Sequence, residues 1–307
     1  MFGWDTAFNY FQCKNCGCLQ IEQIPEDLAR YYPDDYYSLD TPPSKRPGWL
    51  QREINWLRLR YRLLGRGAWI ETLTWRSGPL SRTIQCQIDD LKHCPQLHRQ
   101  SRILDVGCGE HSNWLAALAQ CGFRDLTGAD PFLKQATVRE GVRYLSTTLD
   151  ALRGSFDLIS LHHSLEHMPD QHAILQALHD LLAPGGVCLI RIPLADSAVW
   201  EHYGLDWVEL DAPRHLYLHT RASLAHLAHA HGFEIAATMC DSTAFEFAGS
   251  EQYRMGIPLM ASESFWAHPE AGLFSAEQLR SFQDRAQAAN AAHHCGRAAF
   301  FLHRAAA

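Results

Sequence analysis

Residues Ile103 to Trp114 read ILDVGCGEHSNW. The apolar run that ends at Asp105 predicts a buried strand. Gly107 and Gly109 then allow a tight turn, because glycine adopts positive φ without a steric penalty. From Asn113 onward the apolar residues recur at helical spacing. A strand, a glycine turn and a helix in direct succession predict a nucleotide-binding corner in an α/β fold.

Two common nucleotide sites do not match this turn. The phosphate-binding loop of NTPases ends in Gly-Lys-Ser or Gly-Lys-Thr, and no lysine directly follows these glycines. The dinucleotide fingerprint requires a third glycine, and this chain has Ser112 there. Asp105 would repel a pyrophosphate, whereas it would attract a ligand that carries an ammonium group and a sulfonium.

The stretch resembles the first motif of class I S-adenosylmethionine (SAM) methyltransferases. This resemblance implies that Asp105, Gly107, Cys108 and Gly109 contact SAM. The chain departs from the family at His111, where the loop usually has a third glycine. We expect the His111 side chain either to crowd the methionine end of SAM or to point to solvent. The alternative is that the stretch binds no cofactor and is an ordinary glycine turn after a core strand.

Composition limits the class of protein. The chain has 307 residues, of which 47% are hydrophobic, enough for one large core with additional segments. The net charge is −7 and no run of lysine or arginine occurs, so we expect no nucleic-acid partner. The apolar runs are far shorter than the roughly 20 residues that span a bilayer. The N-terminal sequence does not resemble a signal peptide and the ten cysteines are scattered, so we expect a reduced, cytoplasmic protein.

Residues 1–48 form an N-terminal extension that contains cysteines. Cys13 and Cys16 have the spacing of half a structural zinc site, which takes four ligands. Cys18 could add a third ligand, but the spacing indicates no fourth. Either the thiols pack as small apolar groups, or a first cysteine pair belongs to sequence upstream of Met1. Structural zinc therefore remains an open candidate.

Residues 49–100 are predicted to form a helical cap. Apolar residues recur at helical spacing from Trp49 to Leu73, and a second helix is predicted over Thr83–Leu91. The cap is expected to pack on the core, and part of it is expected to cover the substrate site.

Predicted strands and helices alternate from Arg102 onward, which is typical of a parallel sheet with crossover helices. The predicted strands are 102–106, 125–129, 142–145, 156–161, 187–192, 233–239 and 298–303. The predicted helices are 112–120, 171–182, 223–231 and 276–290. The nucleotide-binding core thus covers 101–241 and ends with a last strand in 297–307. Residues 242–296 form an insertion, which we interpret as a lid or an interface.

Asp130 ends the second predicted strand, 21 residues after Gly109, and precedes Pro131. In nucleotide-binding α/β folds an acidic residue here accepts hydrogen bonds from both ribose hydroxyls. The alternative is a helix N-cap before proline, but the position relative to the glycine loop favours the ribose role. After the third strand, Thr148 and Leu149 lie where these folds cover the adenine.

The fourth strand leads into a segment rich in ionisable residues, His162–Asp170. Ligands bind at the carboxyl ends of parallel strands. We expect His162 to face the methionine end of the cofactor, and His163, Glu166 and His167 to share one face of a helical turn. A histidine there can act as a general base, since its usual pKa lies near working pH. The same three side chains could instead hold a divalent metal.

Aromatic and basic residues are concentrated after the fifth strand, namely Trp200, Tyr203, Trp207, Arg214 and His215. In one irregular segment, they fit the wall of a pocket for a polar, ring-shaped substrate. A surface loop that buries its aromatic residues on the core explains the tryptophans but not Arg214 and His215. We therefore favour substrate contact.

Residues 100–240 as a whole resemble bacterial class I SAM methyltransferases of the methyltransferase-23 type. The resemblance rests on the glycine loop and on the segments HHSLEHMPD, LLAPGG, DAPRHLYLHTRASL and HGF. The opening YFQCKNCG also looks like the second half of the zinc-binding leader of many such proteins. The resemblance implies SAM as cofactor and a Rossmann-like sheet with strand order 3-2-1-4-5-7-6, strand 7 antiparallel. Many members modify sugars or other small metabolites in polysaccharide or secondary-metabolite pathways.

The sequence therefore predicts a SAM-dependent methyltransferase for a small hydroxylated acceptor, a sugar or sugar nucleotide. His167 is the first candidate for the general base, followed by His163 and His215, with Glu166 beside them. The alternative is a non-catalytic subunit that binds a partner through its N-terminal segment and residues 242–296. Oligomers are compatible with either interpretation. A nicotinamide-dependent dehydrogenase is disfavoured by Asp105 and Ser112.

Overall fold

The structure is a computed structural model that describes residues 3, 6–32, 48–63 and 90–305. The helix predicted over Thr83–Leu91 lies outside these ranges except for its last two residues. The predicted helix that starts at Trp49 is observed as far as Leu63, and the rest of that prediction also lies outside them.

The described strands include all seven that the sequence predicts for the core. They are β1 (Tyr10–Gln12), β2 (Leu19–Ile21), β3 (Arg102–Val106), β4 (Asp125–Ala129), β5 (Thr137–Arg139), β6 (Val142–Leu145), β7 (Phe156–His162), β8 (Leu182–Pro193), β9 (Tyr217–Leu218), β10 (Phe233–Cys240) and β11 (Arg297–Arg304). The described helices are α1 (Trp49–Leu63), α2 (Asn113–Gln120), α3 (Gln171–Leu181), α4 (Ala198–Tyr203), α5 (Arg221–Ala230), α6 (Ala244–Arg254) and α7 (Ala276–Ala291).

The large sheet has the strand order β10-β11-β8-β7-β3-β4-β6-β5. Strands β3, β4, β6, β7 and β8 pair in parallel, whereas β11 runs antiparallel between β8 and β10. Without the edge strand β5, this is the order 3-2-1-4-5-7-6 with an antiparallel seventh strand. The α/β Rossmann-like fold and its strand order are confirmed.

Strand β5 was not predicted from the sequence. It is three residues long and pairs with β6 through a hairpin at Glu140 and Gly141, which both have positive φ. Two such residues are typical of the tight turns that join antiparallel strands. A strand of this length is too short to show the alternation of apolar and polar residues.

Apolar clusters cover both faces of the sheet. In β3, Ile103 and Leu104 are both fully buried, although neighbouring side chains in a strand point to opposite faces. Ile103 packs in the cluster that includes Leu115 of α2, and Leu104 packs in the cluster that includes Leu175 of α3. Burial on both faces is typical of parallel sheets between helices, and it fixes the strand ends that carry the site.

The loops that follow β3 and β7 touch each other at the carboxyl edge of the sheet. Ser164 donates a hydrogen bond to the carbonyl of Val106 at 2.9 Å, and the Gly107 N–H donates to the carbonyl of Ala129 at 2.8 Å. Gly107 has φ +73°, and a Cβ there would lie 2.5 Å from the Cβ of Ser164. The glycine is therefore required both by its backbone conformation and by the close approach of the second loop.

A second, smaller sheet joins the N-terminal extension to the core. Its strand order is β1-β2-β9, with Leu19 paired to Leu218. The Tyr10 hydroxyl also donates to the carbonyl of His215 at 2.7 Å. The described part of the extension is thus attached to the segment that follows β8.

Residues 242–296 contain the helix α6, which the sequence did not predict, and α7, which it did. A disulfide between Cys240 and Cys295 joins the end of β10 to the residues before β11. The expectation of a fully reduced chain is wrong at this pair, because cysteine spacing along the chain does not reveal that these two strand ends are neighbours. Among the helices of the described ranges, none has the length and apolar character needed to cross a membrane.

The close approach at Gly107 predicts a difference between two glycine substitutions. Gly185 has φ +75°, nearly the same as Gly107, but nothing lies within 4 Å of its absent Cβ. Gly185→Ala is expected to lower the free energy of unfolding by about 1 kcal/mol through backbone strain alone. Gly107→Ala is expected to cost roughly 1–3 kcal/mol more, because the new Cβ clashes with Ser164. Urea unfolding of both variants measures the difference, and equal losses would contradict the described contact.

Candidate active site

A buried carboxylate lies beneath the glycine loop. Asp105 accepts hydrogen bonds from the hydroxyls of Ser112 at 2.6 Å and Ser160 at 2.8 Å. Ser112 also caps α2, since its Oγ accepts from the N–H of Leu115 at 3.1 Å. Burial raises the pKa of Asp105 to about 6. Asp105 thus connects β3, β7 and the start of α2, and its predicted attraction for a cationic ligand stays a prediction.

Asp130 lies at the end of β4, next to the glycine loop. One carboxylate oxygen accepts from the N–H of Gly109 at 3.0 Å, and the other accepts from the N–H of Phe132 at 2.9 Å. Residues 131–136 form no helix, so the alternative role as a helix N-cap does not apply. Each oxygen keeps a free lone pair, so the carboxylate can accept two further hydrogen bonds, one per oxygen.

The other predicted cofactor residues lie at the same edge of the sheet. Thr148 and Leu149 follow β6, where Leu149 begins a 3₁₀ turn, and Pro131 is exposed beside Asp130. Cys108 is buried, and its thiol lies only 2.7 Å from where a Cβ on Gly128 would be. The Cys108 side chain therefore belongs to the core, and only its backbone belongs to the loop. A cofactor contact from these residues stays a prediction.

His162 ends β7 and is held by Arg191. The Arg191 Nη1 lies 2.6 Å from His162 Nδ1, while the same guanidinium pairs with Asp90 at 2.7 Å and Asp241 at 2.5 Å. A guanidinium only donates, so Nδ1 accepts and the proton of the neutral ring is on Nε2. Burial, together with the charges of Arg191 and His163, holds the pKa of His162 well below its usual value. His162 is therefore a neutral ring with a fixed tautomer.

His163, which is partly exposed, forms an ion pair with the buried Glu166 after β7. Their Nδ1 and Oε1 atoms lie 3.4 Å apart, and Glu166 is only 1% exposed. Burial opposes the charge on both side chains, but their mutual contact raises the pKa of His163 and lowers that of Glu166. His163 also has φ +52°, which is rare for a residue with a side chain. The pair is thus charged and held in a strained turn.

His167 and His215 face each other beside Glu166, with ring centroids 4.7 Å apart. His167 Nδ1 lies 2.9 Å from the carbonyl of Arg214, and His215 Nδ1 lies 2.6 Å from the carbonyl of Glu209. Carbonyls only accept, so each Nδ1 carries a proton, and in the neutral ring Nε2 is the acceptor. Burial, followed by the charge of His215, lowers the pKa of His167 to about 4.

Three acceptors therefore converge at this point of the site. Glu166, His167 and His215 each offer one ligand atom, and these atoms all lie within 4.8 Å of one another. Histidine rings whose second nitrogen donates to a backbone carbonyl are typical of both general bases and metal ligands. The arrangement can accept a proton from a hydroxyl group or hold a divalent cation.

The four predicted substrate residues are divided between two environments. Trp207 is fully buried in an apolar cluster with Tyr203, and Trp200 packs against Trp207 at 5.9 Å between ring centroids. This packing agrees with the alternative interpretation, in which a surface loop buries its aromatic residues on the core. Arg214 is buried, paired with Asp211, and its Nη1 donates to the carbonyl of Tyr31 at 3.3 Å. Arg214 thus fixes the backbone that holds His167, and direct substrate contact stays a prediction.

The predicted zinc half-site lies at the turn between β1 and β2. The N–H of Gly17 donates to the carbonyl of Cys13 at 2.8 Å, which brings the Cys13 and Cys16 side chains to one turn. Cys18 is buried and its thiol is 3.5 Å from the carbonyl of Leu19. In the part of the chain that the structure describes, no group of three or more metal-binding side chains includes these cysteines. Zinc binding stays a prediction.

Several residues of the site were not predicted from the sequence. Tyr32, from the N-terminal extension, places its hydroxyl 3.1 Å from His167 Nδ1. Glu209 and Arg214 orient the two histidines through backbone carbonyls, which no side-chain pattern can reveal. Asp211 pairs with Arg214.

Comparisons with known proteins show which family the chain matches. The family model methyltransferase-23, described as a methyltransferase domain, matches residues 80–238, slightly more than half of the chain. The ubiquinone biosynthesis O-methyltransferase of Psychrobacter cryohalolentis is 35% identical over 101 residues, which are 29% of this chain and 39% of that protein. The trans-aconitate 2-methyltransferase of Deinococcus radiodurans is 30% identical over 98 residues, 30% of this chain and 38% of that protein. The match therefore spans about two fifths of the length of these relatives.

The chain is also similar, at low identity, to several solved structures. The [4+2]-cyclase SpnF is 17% identical, with 87% of this chain and 100% of that chain covered at a TM-score of 0.48. The magnesium protoporphyrin IX methyltransferase of Synechocystis with bound SAM is 16% identical, with 72% and 86% covered at a TM-score of 0.38.

The environment of His167 predicts its titration. Burial disfavours the protonated ring, so the ring is expected to stay neutral until the pH falls well below the usual histidine pKa of about 6.5. NMR of the imidazole ring signals, with His167→Gln to assign them, measures this pKa. We expect a midpoint of about 4. A midpoint at the usual value would mean that the ring is open to solvent.

Proposed function

The chain belongs to the methyltransferase-23 family of class I SAM-dependent methyltransferases, and we propose that it transfers a methyl group from SAM to a hydroxyl of a small acceptor. One observation carries this proposal. His167 and His215 have their Nδ1 atoms held by backbone carbonyls, so in the neutral ring Nε2 is the proton acceptor. Within the hydroxylated acceptors, we propose a sugar or a sugar nucleotide.

The nucleotide corner fits SAM. Asp130 keeps one free lone pair on each carboxylate oxygen, which suits the two ribose hydroxyls. The backbone of Gly107 to Gly109 would lie along the nucleoside, and Thr148 and Leu149 would lie along the adenine. When bound, SAM supplies a methyl group on a positively charged sulfur, which is a good leaving group.

The protein has two tasks in such a reaction, namely to orient the acceptor and to remove its proton. We propose that His167 Nε2 takes the proton from the acceptor hydroxyl. The low pKa keeps His167 unprotonated at neutral pH, so it is ready to accept. The carboxylate of Glu166 favours the positive ring that then forms, since its charge raises the pKa of His167. His215 and the backbone carbonyl of Arg214 hold the ring in place.

The groups around this base support the proposed acceptor class. Glu166, Asp211 and His215 lie near His167, and such polar side chains suit an acceptor that carries several hydroxyls. The curated relatives are named for methyl transfer in ubiquinone biosynthesis and to trans-aconitate, which supports a small molecule as acceptor. The relatives in ubiquinone biosynthesis are named as O-methyltransferases, which supports oxygen as the atom that receives the methyl group.

A second candidate mechanism uses a divalent metal. The convergence of Glu166, His167 and His215 within 4.8 Å favours it, since two neutral histidines and a carboxylate are common metal ligands. A cation there would bind the acceptor hydroxyl and lower its pKa. Loss of turnover on treatment with EDTA, with recovery on addition of one divalent ion, would select this mechanism over the general base.

Replacement of the base tests the proposal. His167→Ala is expected to lower kcat by roughly 10²- to 10⁴-fold, because proton removal is lost. The affinity for SAM is expected to stay within about twofold of the wild type. Methyl transfer from labelled SAM to an acceptor found by screening sugars, sugar nucleotides and phenols measures the effect. The matched control is His172→Ala, since His172 lies exposed on α3 away from this cluster.

Two results would count against this assignment. An unchanged kcat in His167→Ala, with the true acceptor, would exclude His167 as the base. SAM binding without turnover of any acceptor would favour the alternative of a non-catalytic subunit that binds a partner.

The ribose role of Asp130 predicts a loss of nucleoside affinity. Asp130→Asn replaces one acceptor oxygen by an NH₂ donor, so we expect the Kd for SAM to rise at least about tenfold. The Kd for 5′-methylthioadenosine, which keeps the ribose but lacks the amino-acid part, is expected to rise by a similar factor. Calorimetric titration measures both constants, with Asp180→Asn on the surface of α3 as the control. Unchanged affinity for both ligands would show that Asp130 only shapes the loop.

A further inference from the structure

A group of buried ring nitrogens without hydrogen-bond partners lies beside the glycine loop. Trp114 is 5% exposed, and its Nε1 has no partner. The Nε2 of His162 is also buried without a partner, and the two rings lie 5.1 Å apart between centroids. Both ring nitrogens of His111, in the loop before α2, are likewise buried and unpaired. Buried polar groups that remain unpaired are costly, so such a group indicates a missing acceptor.

The unpaired nitrogens of Trp114 and His162 are both donors. Indole Nε1–H can only donate. In His162 the proton is on Nε2, because Nδ1 accepts a hydrogen bond from Arg191 at 2.6 Å. Two N–H groups on neighbouring rings therefore lack an acceptor. The positive charge of Arg191 lies behind one of them, and the N-terminus of α2, which starts at Asn113, lies beside the other.

The order of strands indicates which part of a bound nucleoside reaches this place. The carboxyl edges of β6, β4, β3 and β7 follow one another across the sheet. Asp130 ends β4 and Leu149 follows β6, so adenine and ribose would occupy that side. The remainder of SAM, its amino-acid portion, would then extend over β3 toward β7, where His162 is located.

We propose that Trp114 and His162 form the subsite for the carboxylate of the amino-acid portion of SAM, which accepts hydrogen bonds from Trp114 Nε1–H and His162 Nε2–H. This inference rests on the proposed function, since it concerns the same cofactor. A carboxylate fits because it carries two acceptor oxygens and a negative charge. The family's usual third glycine is replaced here by His111, and its buried ring lies in the same loop as this subsite.

The test compares three ligands that differ only at the amino-acid end. S-adenosylhomocysteine has both amine and carboxylate, its decarboxylated analogue keeps the amine, and 5′-methylthioadenosine lacks both. Trp114→Phe keeps an aromatic ring against His162 and removes the indole N–H, and the accompanying loss of volume is the same as in the control variant Trp56→Phe. We expect this variant to weaken S-adenosylhomocysteine binding about tenfold, since a hydrogen bond to a charged group is lost. The Kd values of the other two ligands are expected to stay within about twofold.

A pair of histidine variants tests the second donor. In His162→Asn the side-chain oxygen can still accept from Arg191, but nothing replaces Nε2–H, so the same selective loss is expected. His162→Gln places an amide N–H near the position of Nε2 and is expected to restore part of the affinity. Trp56→Phe is the control for loss of an indole, since Trp56 packs on Phe123 away from the loop.

The outcomes separate this inference from the proposed function. Selective loss for S-adenosylhomocysteine in Trp114→Phe and His162→Asn supports the carboxylate subsite. If the wild type binds the ligands, an equal loss of affinity for all three in the variants overturns the carboxylate subsite. The absence of any loss overturns it as well. If the folded wild-type protein binds none of the three ligands, the proposed use of SAM is wrong and the subsite is wrong with it.

Discussion

The site depends on one buried carboxylate. Asp105 is hydrogen-bonded to Ser112 and Ser160, so a single side chain ties the end of β3 to β7 and to the first turn of α2. An ionised carboxylate is costly in a buried environment, and this cost raises its pKa. The two hydroxyl donors offset part of that cost. Without this connection the glycine loop would lose its position over the two strands that carry Asp130 and His162.

Backbone groups, rather than further side chains, select the tautomers of the histidine cluster at His167 and His215. A neutral histidine can carry its proton on either nitrogen, and the carbonyls of Arg214 and Glu209 select Nδ1 in His167 and His215. Asp211 pairs with Arg214 and is in the left-handed region at φ +36°. The stretch 209–214 thus orients both histidines through its own backbone.

The nucleotide corner could be predicted from the sequence because its signals are local. The strand that ends at Asp105, the glycine pair, and Asp130 at the end of the next strand are all read from short patterns, and the structure has the same elements. The cluster from His162 to His167 was also recognisable, since ionisable residues at the end of a buried strand are unusual.

The rest of the site depends on contacts between distant parts of the chain. Pairing of β2 with β9 brings Tyr32 and Tyr10 to the two histidines, and no local pattern encodes that pairing. The tryptophans after β8 have the composition of a binding surface, but Trp207 is in the core. The disulfide between Cys240 and Cys295 likewise depends on the adjacency of β10 and β11.

The most direct test of the account is calorimetric titration of the wild-type protein with SAM, and with NAD and NADH in parallel. The account predicts saturable SAM binding with one site per chain and no binding of either dinucleotide, because Asp105 and the two-glycine loop do not accommodate a pyrophosphate. Absence of SAM binding by protein that is shown to be folded would contradict it.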